Sequence, residues 1–257
     1  MTRRLAGVLP PVRAAVWRFG GLIAQNFSDL IKLNLLFSLC ALPSAALLLL
    51  GQFGIFGAFA PLLSLAVSLP AGGALCACLF CLTKMFSGKT GHIWFDFRRK
   101  FLENVRKASV CGILYTAFIY FQVHLWSLQI FGDTETDVFL CVIGIGFLLF
   151  FGMLTPYIFL QIAYIDIKMA KIIKNSILIS SANALRSFFG AVSGAIVWIS
   201  VLLFLPTSLI FAPILMLTGF SLSWLLNLMW IWPPFDKLFA ISETLRIRET
   251  NTEAVAE

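Results

Sequence analysis

Few residues of this chain carry groups that could perform acid–base or nucleophilic chemistry. Its 257 residues include only two histidines, His92 and His124, and 12% of the residues are charged. The sequence shows no spacing typical of a nucleophile with its base, of a paired carboxylate site or of a metal-ligand cluster. We therefore predict that the protein is not an enzyme and that it holds no metal and no cofactor.

Two short segments imitate reactive motifs. Residues 87–90 read Ser-Gly-Lys-Thr, like the end of a phosphate-binding loop, but Thr83 stands where that motif needs a glycine, and no strand precedes it. Cys78 and Cys81 form a CxxC inside an apolar stretch with no histidine or carboxylate nearby, whereas zinc and redox sites need further ligands or an exposed, electropositive setting. We expect a helix end at the first segment and small packing residues at the second.

The composition points to lipid as the solvent of this chain. Hydrophobic residues make up 60% of the sequence, whereas an average soluble domain is about 45–50% apolar and about 25% charged. The net charge is +7, but the basic residues lie in short segments between apolar runs. This distribution favours orientation in a membrane over binding to nucleic acid.

Four long stretches contain no Asp, Glu, Lys or Arg: 33–83, 108–132, 138–165 and 187–235. One crossing helix needs about 20 apolar residues, so the two middle stretches each predict one span and the two long stretches each predict a pair. We therefore predict an all-α fold, a single bundle of about six transmembrane helices. The predicted spans are residues 30–51, 62–84, 108–131, 138–162, 187–208 and 211–232. The geometry of the apolar stretch 51–70 stays open, because it is long enough for a re-entrant segment.

The basic residues test this number of spans independently. All 19 of them fall in the segments 1–32, 84–107 and 166–186 or in the tail after residue 235. With six spans these four segments lie on one side of the membrane, which the positive-inside rule makes cytoplasmic. The loop 133–137, with three acidic residues and no basic one, then lies on the other side. Both termini are therefore expected in the cytoplasm.

Two cytoplasmic segments, 11–26 and 93–107, have apolar residues at helical spacing and predict amphipathic helices lying in the membrane interface. In the second, Trp94, Phe97 and Phe101 fall on one stripe and most charged residues on the other side. The polar residues 249–257 predict a disordered tail.

The helix at 93–107 has two interpretations. It either braces the bundle at the lipid headgroups or presents a surface on which a partner protein docks. The residues expected to form this docking or interfacial surface are Trp94, Phe97, Arg98, Arg99, Lys100 and Phe101.

Several polar residues lie inside the predicted spans, where such groups avoid lipid and face the bundle interior. The candidates for an intramembrane polar face are Asn34, Ser38, Tyr115, Gln122, His124, Gln129, Gln161 and Asn227. They either form hydrogen bonds between helices or line a cavity for a solute, and His124 could mark a proton path. The GxxxG pair Gly190 and Gly194 permits close helix packing, within the bundle or in a homo-oligomer.

In the order of its segments the chain resembles the YesL-like family of bacterial integral membrane proteins. The similar blocks are a Leu- and Asn-containing first span at 33–39, a Pro- and Ala-rich block at 69–75, an aromatic and basic block at 94–104 and a block at 174–186. The resemblance covers about residues 15–240, and the longer apolar stretch at 47–68 departs from the family. It implies a bacterial inner-membrane location and an association with carbohydrate uptake, and it supplies no catalytic residues.

Two functions follow as hypotheses. The first is a non-enzymatic accessory or scaffold protein beside an ABC-type sugar permease, which the resemblance and the aromatic-basic segment 93–107 favour. The second is a small-solute transporter in its own right, which the inward polar residues and the proline-containing hairpins favour. The lipid bilayer is the one partner that the residues specify; they specify neither a substrate, nor a partner protein, nor an oligomeric state.

Overall fold

The computed structural model describes residues 20–54, 59–87, 92–131, 138–204 and 211–241. Within these ranges the chain is helical apart from short turns and contains no strand, so the predicted all-α class is confirmed. Residues 20–25 are helical and lead into the first long helix. The helices are α1 (Phe27–Gln52), α2 (Phe59–Val67), α3 (Leu69–Phe86), α4 (Ile93–Phe131), α5 (Val138–Tyr164), α6 (Met169–Ala182), α7 (Ala184–Phe204) and α8 (Phe211–Phe239).

Some sequence predictions lie outside the described residues. These are the tail 249–257, the acidic loop 133–137, the part of the predicted helix 11–26 that precedes residue 20, and residues 55–58 of the apolar stretch.

Three helices in the described part of the chain are long and apolar enough to cross a membrane. Their qualifying segments are Phe27–Leu48, Leu69–Phe86 and Val142–Tyr164. A fourth results if Met169–Ala182 and Ala184–Ser200, which meet at an angle of 98°, count as one broken span. The fold therefore has the apolar helices of a membrane protein, and the three segments overlap three of the six predicted spans.

Helix α3 is buried inside the protein to a much greater extent than α1 and α5. In its apolar segment 72% of the residues are buried inside the protein, against 22% in α1 and 33% in α5. An unbroken run from Gly72 to Thr83 is buried on every face of the helix. A helix that is apolar all round belongs either in lipid or in the centre of a protein. Other parts of the protein surround α3, which therefore forms the centre of the bundle.

Helices α3 and α4 cross with their backbones in contact. A Cβ atom added at Gly112 would lie 2.7 Å from the Cα of Gly72, and one added at Gly72 would run into the backbone of Ala108 and Gly112. The Ser109 hydroxyl donates to the Leu69 carbonyl at 2.7 Å, which further joins the two backbones. Small residues at these positions are what allow so close an approach.

Helix α4 is continuous over 39 residues, about 58 Å at the α-helical rise. It joins the predicted interfacial helix 93–107 and the predicted span 108–131 into one element. The segment 93–107 therefore does not stand apart from the bundle as a separate helix. Its apolar stripe contacts α3, because the ring of Phe101 and the backbone of Val105 lie against Gly73.

This contact sets the register between α3, whose single charged residue is Lys84, and the partly charged helix α4. Gly72 lies beside Ala108, where the charge-free part of α4 begins, and Lys84 pairs with Asp96 near the start of α4. Residues 73–84 of α3 therefore run beside the charged part of α4. Arg106 and Lys107 are exposed there, and exposed charges are expensive in lipid. The apolar sequence of α3 is thus explained by burial in protein over this length.

Four of the remaining six helices pack as two antiparallel pairs, α1 with α2 and α7 with α8. In the first, the Ser44 hydroxyl on α1 donates to the Ser64 carbonyl on α2 at 3.0 Å. In the second, α7 places Gly190 and Gly194 against α8. A Cβ at Gly190 would lie 3.3 Å from the Asn227 carbonyl oxygen. The GxxxG pair therefore serves close packing within the chain.

We expect Gly72→Ala to lower the free energy of unfolding by about 1–3 kcal/mol, because the methyl group meets α4 backbone that cannot move aside. The matched control is Gly146→Ala on α5, where a Cβ meets nothing within 4 Å and the substitution should be neutral or stabilise by up to about 1 kcal/mol. Thermal unfolding of both variants in the same detergent measures the difference. Equal melting temperatures would contradict the close α3–α4 contact.

Candidate functional site

The buried amides inside the bundle each connect a pair of helices. Asn34 on α1 is 3% exposed, and its Oδ1 atom accepts hydrogen bonds from the backbone N–H groups of Phe220 at 3.0 Å and Ser221 at 3.3 Å on α8. The Ser221 hydroxyl donates back to the Leu30 carbonyl at 2.9 Å. These bonds join α1 to the middle of α8 in a place where water does not compete.

Gln122 performs the same role between α4 and α5. Its side-chain NH2 donates to the Gly144 carbonyl at 2.8 Å. One turn earlier on α4, the Phe118 ring stacks on Phe151 of α5, with ring centroids 4.1 Å apart. The Oε1 atom of Gln122 is buried and finds no hydrogen-bond partner among the described residues.

The richest polar group surrounds the bend between α6 and α7, and we call it the bend cluster: Tyr157, Gln161, Ser176, Asn183 and Ser187. Gln161 on α5 is fully buried and donates through its NH2 to the Ser176 hydroxyl on α6 at 2.8 Å. The Tyr157 hydroxyl, one turn earlier on α5, lies 3.1 Å from the Ser187 hydroxyl on α7. The Ser187 hydroxyl also donates to the Asn183 carbonyl at 3.1 Å. Helix α5 thereby holds both arms of the bent pair.

Asn227 lies between α7 and α8, in the zone of close packing around Gly190 and Gly194. Its Oδ1 atom, like the Oε1 atom of Gln161, is buried without a hydrogen-bond partner in the described part of the chain. One turn earlier, the Ser223 hydroxyl donates to the Gly194 carbonyl at 2.9 Å. Three buried amide oxygens thus remain as open acceptors, each between different helices.

The other candidates for a polar face lie elsewhere. Ser38 and Tyr115 are half-buried, and His124 is exposed with its ring parallel to that of Tyr120 at a centroid distance of 6.0 Å. The side chain of Gln129 lies outside the described residues. The structure therefore distributes the predicted polar residues over several helix pairs. Among the described residues, only the surroundings of Gln161 form a polar cluster shared by more than two helices.

The predicted docking surface at the start of α4 divides between two sides. Phe97 is 6% exposed and Phe101 is half-buried against α3, and the ammonium group of Lys100 lies 5.0 Å from the centre of the Phe80 ring on α3. Trp94 is 64% exposed, and Arg98 also faces outward. Half of the predicted surface thus serves packing.

Ion pairs at both ends of the charged part of α4 anchor it to its neighbours. Asp96, which the sequence pattern places on the polar side of the helix, is 8% exposed and bonds to Lys84 at 2.6 Å and Arg99 at 3.2 Å. At the other end Lys107 pairs with Asp166, in the turn between α5 and α6. The Lys107 ammonium group, by its hydrogen bond and its charge, holds the pKa of the Asp166 carboxyl below its usual value.

Sequence reasoning missed the partners in these contacts. Tyr157 and Gln161 are spaced by one helical turn in an uncharged run, which is a signal for a shared polar face. Ser176 and Ser180 repeat that spacing on α6, but a serine is too common in helices to be singled out. Nothing in the sequence pairs Lys84 with Asp96, because that contact depends on the turn between two helices.

Of the two imitations of reactive motifs, residues 88–90 of the Ser-Gly-Lys-Thr segment lie outside the described residues, and the CxxC is described in full. Cys78 and Cys81 are free thiols buried in the core, as expected for small packing residues. Among the described residues, no three His, Cys, Asp or Glu side chains come together as they would around a metal ion.

Compared with known proteins, the chain matches no family model, no curated protein and no solved structure. Its function must therefore be argued from its own residues and their arrangement.

We expect Asn34→Ala to lower the free energy of unfolding by about 1 kcal/mol, the usual scale of an interhelical hydrogen bond in a membrane protein, because two contacts to α8 are lost. Ser38→Ala is the matched control, one turn further along α1, and should change stability by less than about 0.5 kcal/mol. Thermal unfolding in detergent provides the measurement. Equal effects of the two substitutions would mean that Asn34 does not join the helices.

We expect Asp96→Asn to destabilise the protein by about 1–3 kcal/mol, because it leaves the mostly buried Lys84 without its counter-charge. Asp29→Asn removes the partner of Lys32 in an exposed pair and should cost less than about 1 kcal/mol. Exchange of the two residues, Lys84→Asp with Asp96→Lys, should recover part of the loss. The Lys84–Asp96 contact would be disproved by an exchange variant no more stable than the single one.

Proposed function

We propose that this chain is a non-enzymatic bacterial inner-membrane protein that acts as an accessory or scaffold in carbohydrate uptake. The proposal includes six membrane crossings with both termini in the cytoplasm, and membership of the YesL-like family. The observation that carries it is an exposed aromatic and basic surface at the start of α4, on the side where the positive-inside rule places a cytoplasmic partner.

The contact between α3 and α4 supports a specific position of the bilayer. The exposed charges of α4 end at Lys107, beside Gly72 of α3. The bilayer then begins at this level and surrounds the outer part of α4, where Val110 and Leu114 are exposed. In this arrangement the second crossing consists of α2 with the first turns of α3, about ten residues earlier than the predicted span 62–84. The rest of α3 lies in a helical cluster on the cytoplasmic side.

The proposed docking site is the α4 entry surface, defined as Trp94, Phe95, Arg98 and Leu102. The three apolar side chains are 59–64% exposed, and Arg98 forms no ion pair in the described part of the chain. Aromatic residues and arginine are the types that dominate the binding energy of protein interfaces. The buried neighbours Asp96 and Phe97 hold this surface rigidly on α3.

The choice of a sugar permease as partner rests on the family resemblance. The four similar blocks include the aromatic and basic segment 94–104, which contains the α4 entry surface. In this proposal the surface contacts cytoplasmic loops of the permease. A scaffold that contacts those loops needs exposed anchor residues and no catalytic group.

Co-purification from membranes in mild detergent tests the proposal. We expect a sugar permease subunit to accompany the wild-type protein and to be lost from Trp94→Ala/Arg98→Glu, which removes an anchor and reverses a charge. The matched control is Leu238→Ala/Lys237→Glu, on exposed positions at the end of α8, and it should retain the subunit. Absence of any transporter subunit from the wild-type preparation, or equal loss in both variants, would refute the docking surface.

A second function, transport of a small solute by the chain itself, is favoured by the bend cluster. Broken helices near buried polar groups form the solute sites of many carriers, and here a 98° break lies beside Gln161, whose Oε1 atom is a buried open acceptor. Uptake of labelled sugars into liposomes that contain only this protein tests it. Transport that Gln161→Leu abolishes and Ser200→Ala leaves intact would establish this function in place of the first, because the Ser200 hydroxyl bonds to the Ile196 carbonyl within its own helix.

A further inference from the structure

We propose that α6 is an interfacial helix that lies in the plane of the membrane and binds anionic lipid headgroups with Lys171 and Lys174. This inference does not depend on the role in sugar uptake, but it rests on the bilayer position proposed above. It interprets the bend between α6 and α7 as the corner between a helix on the membrane surface and a helix that crosses the membrane.

The length and direction of α6 support this position. Its 14 residues measure about 21 Å, which is too short to cross a hydrocarbon core of about 30 Å. It meets α7 at 98°. If α7 crosses the bilayer, α6 therefore runs nearly parallel to the bilayer surface.

The contacts of α6 place it at the level where the charges of α4 end. The sulfur of Cys111 on α4 lies 3.7 Å from the sulfur of Met169, the first residue of α6. One turn earlier on α4, Lys107 pairs with Asp166, just before α6. Lys107 is the last charged residue of α4, so α6 begins at the boundary between its charged and its apolar parts. This boundary is where headgroups meet acyl chains.

The side chains of α6 divide into three sectors, as an in-plane helix requires. Ile172, Ser176, Ile179 and Ser180 are buried against the bundle. At about 100° per residue, Lys171 and Lys174 share one exposed flank, on which Leu178 is also 56% exposed, and Ile173 and Ile177 share the other. The two isoleucines are 40% and 42% exposed. One flank therefore suits phosphate groups and the other suits acyl chains.

The lysines of α6 have charge available for a ligand. Lys168, at the N-terminal end, and Lys171 and Lys174 are all exposed, and none of them forms an ion pair with a described residue. Arg186, at the start of α7, is likewise exposed and unpaired in the described part of the chain. Lysine stems can lie along apolar surface with the ammonium groups at the headgroups. Anionic lipids of the cytoplasmic leaflet are the partner of matching charge.

The orientation of α6 can be measured with a spin-labelled amino acid, incorporated genetically so that the native cysteines stay in place. The labelled positions are 171, 173, 174 and 177. We expect high accessibility to molecular oxygen at 173 and 177 and high accessibility to a polar nickel reagent at 171 and 174, with both pairs at one shallow depth. A depth that increases steadily from 171 to 177 would show a broken span and would overturn the proposal.

Lipid binding is tested with the full-length protein in phosphatidylcholine vesicles that contain spin-labelled phosphatidylglycerol or spin-labelled phosphatidylcholine. The wild type should prefer phosphatidylglycerol. Lys171→Gln/Lys174→Gln should lose up to about fivefold of that preference per lysine. The control Lys171→Arg/Lys174→Arg keeps the positive charge at both exposed positions and should keep the preference. No preference in the wild type, or equal loss in both variants, would overturn the α6 site.

Discussion

The contact of two glycine backbones, Gly72 on α3 and Gly112 on α4, is the constraint on which the rest of this structure depends. It brings the helices close enough for Ser109 to bond to the backbone of α3. It also sets which residues of the two helices lie side by side. The charged beginning of α4 is thereby laid along α3, and Asp96 is brought to Lys84. Any larger side chain at the crossing would shift this register.

The hydrogen bonds of the buried polar groups are determined by the absence of a solvent that competes for them. Backbone and amide groups in an apolar setting must find partners within the protein, because lipid offers none. Asn34, Gln122 and Gln161 each donate or accept across a different helix pair. The positions of these amides therefore specify which helices are neighbours. The apolar residues alone would permit many arrangements of similar helices.

Sequence reasoning predicted the all-α class, because helix formation in long apolar runs depends on local composition. The apolar runs that contain α1 and α5 have few other structures open to them. It could not predict what covers α3, since an uncharged run has the same composition whether protein or lipid surrounds it. Nor could it predict what the apolar stripe of 93–107 faces. Periodicity shows that a helix has an apolar side, and only the tertiary contact of Phe101 with Gly73 shows which surface receives it.

The polar residues of the candidate site could be identified from the sequence, but the contacts between them could not. The buried amides Asn34 and Gln161 stand out in uncharged sequence, but their partners are backbone groups and serines that no pattern distinguishes. No proline or glycine near Asn183 predicts the bend between α6 and α7. It arises where α5 bonds to both arms through Tyr157 and Gln161. A feature built from several helices leaves little trace in any one of them.

The length of α4 has a mechanical consequence. Gly112 is the middle residue of this helix, which runs from Ile93 to Phe131, so the crossing with α3 divides it into two equal arms. The basic arm is fastened along α3 from Gly72 to Lys84, so it cannot pivot about Gly112 alone. The apolar arm is bonded to α5 through Gln122. A continuous helix fastened in this way acts as a stiff strut, and a force on its basic end would move α3 and α4 together.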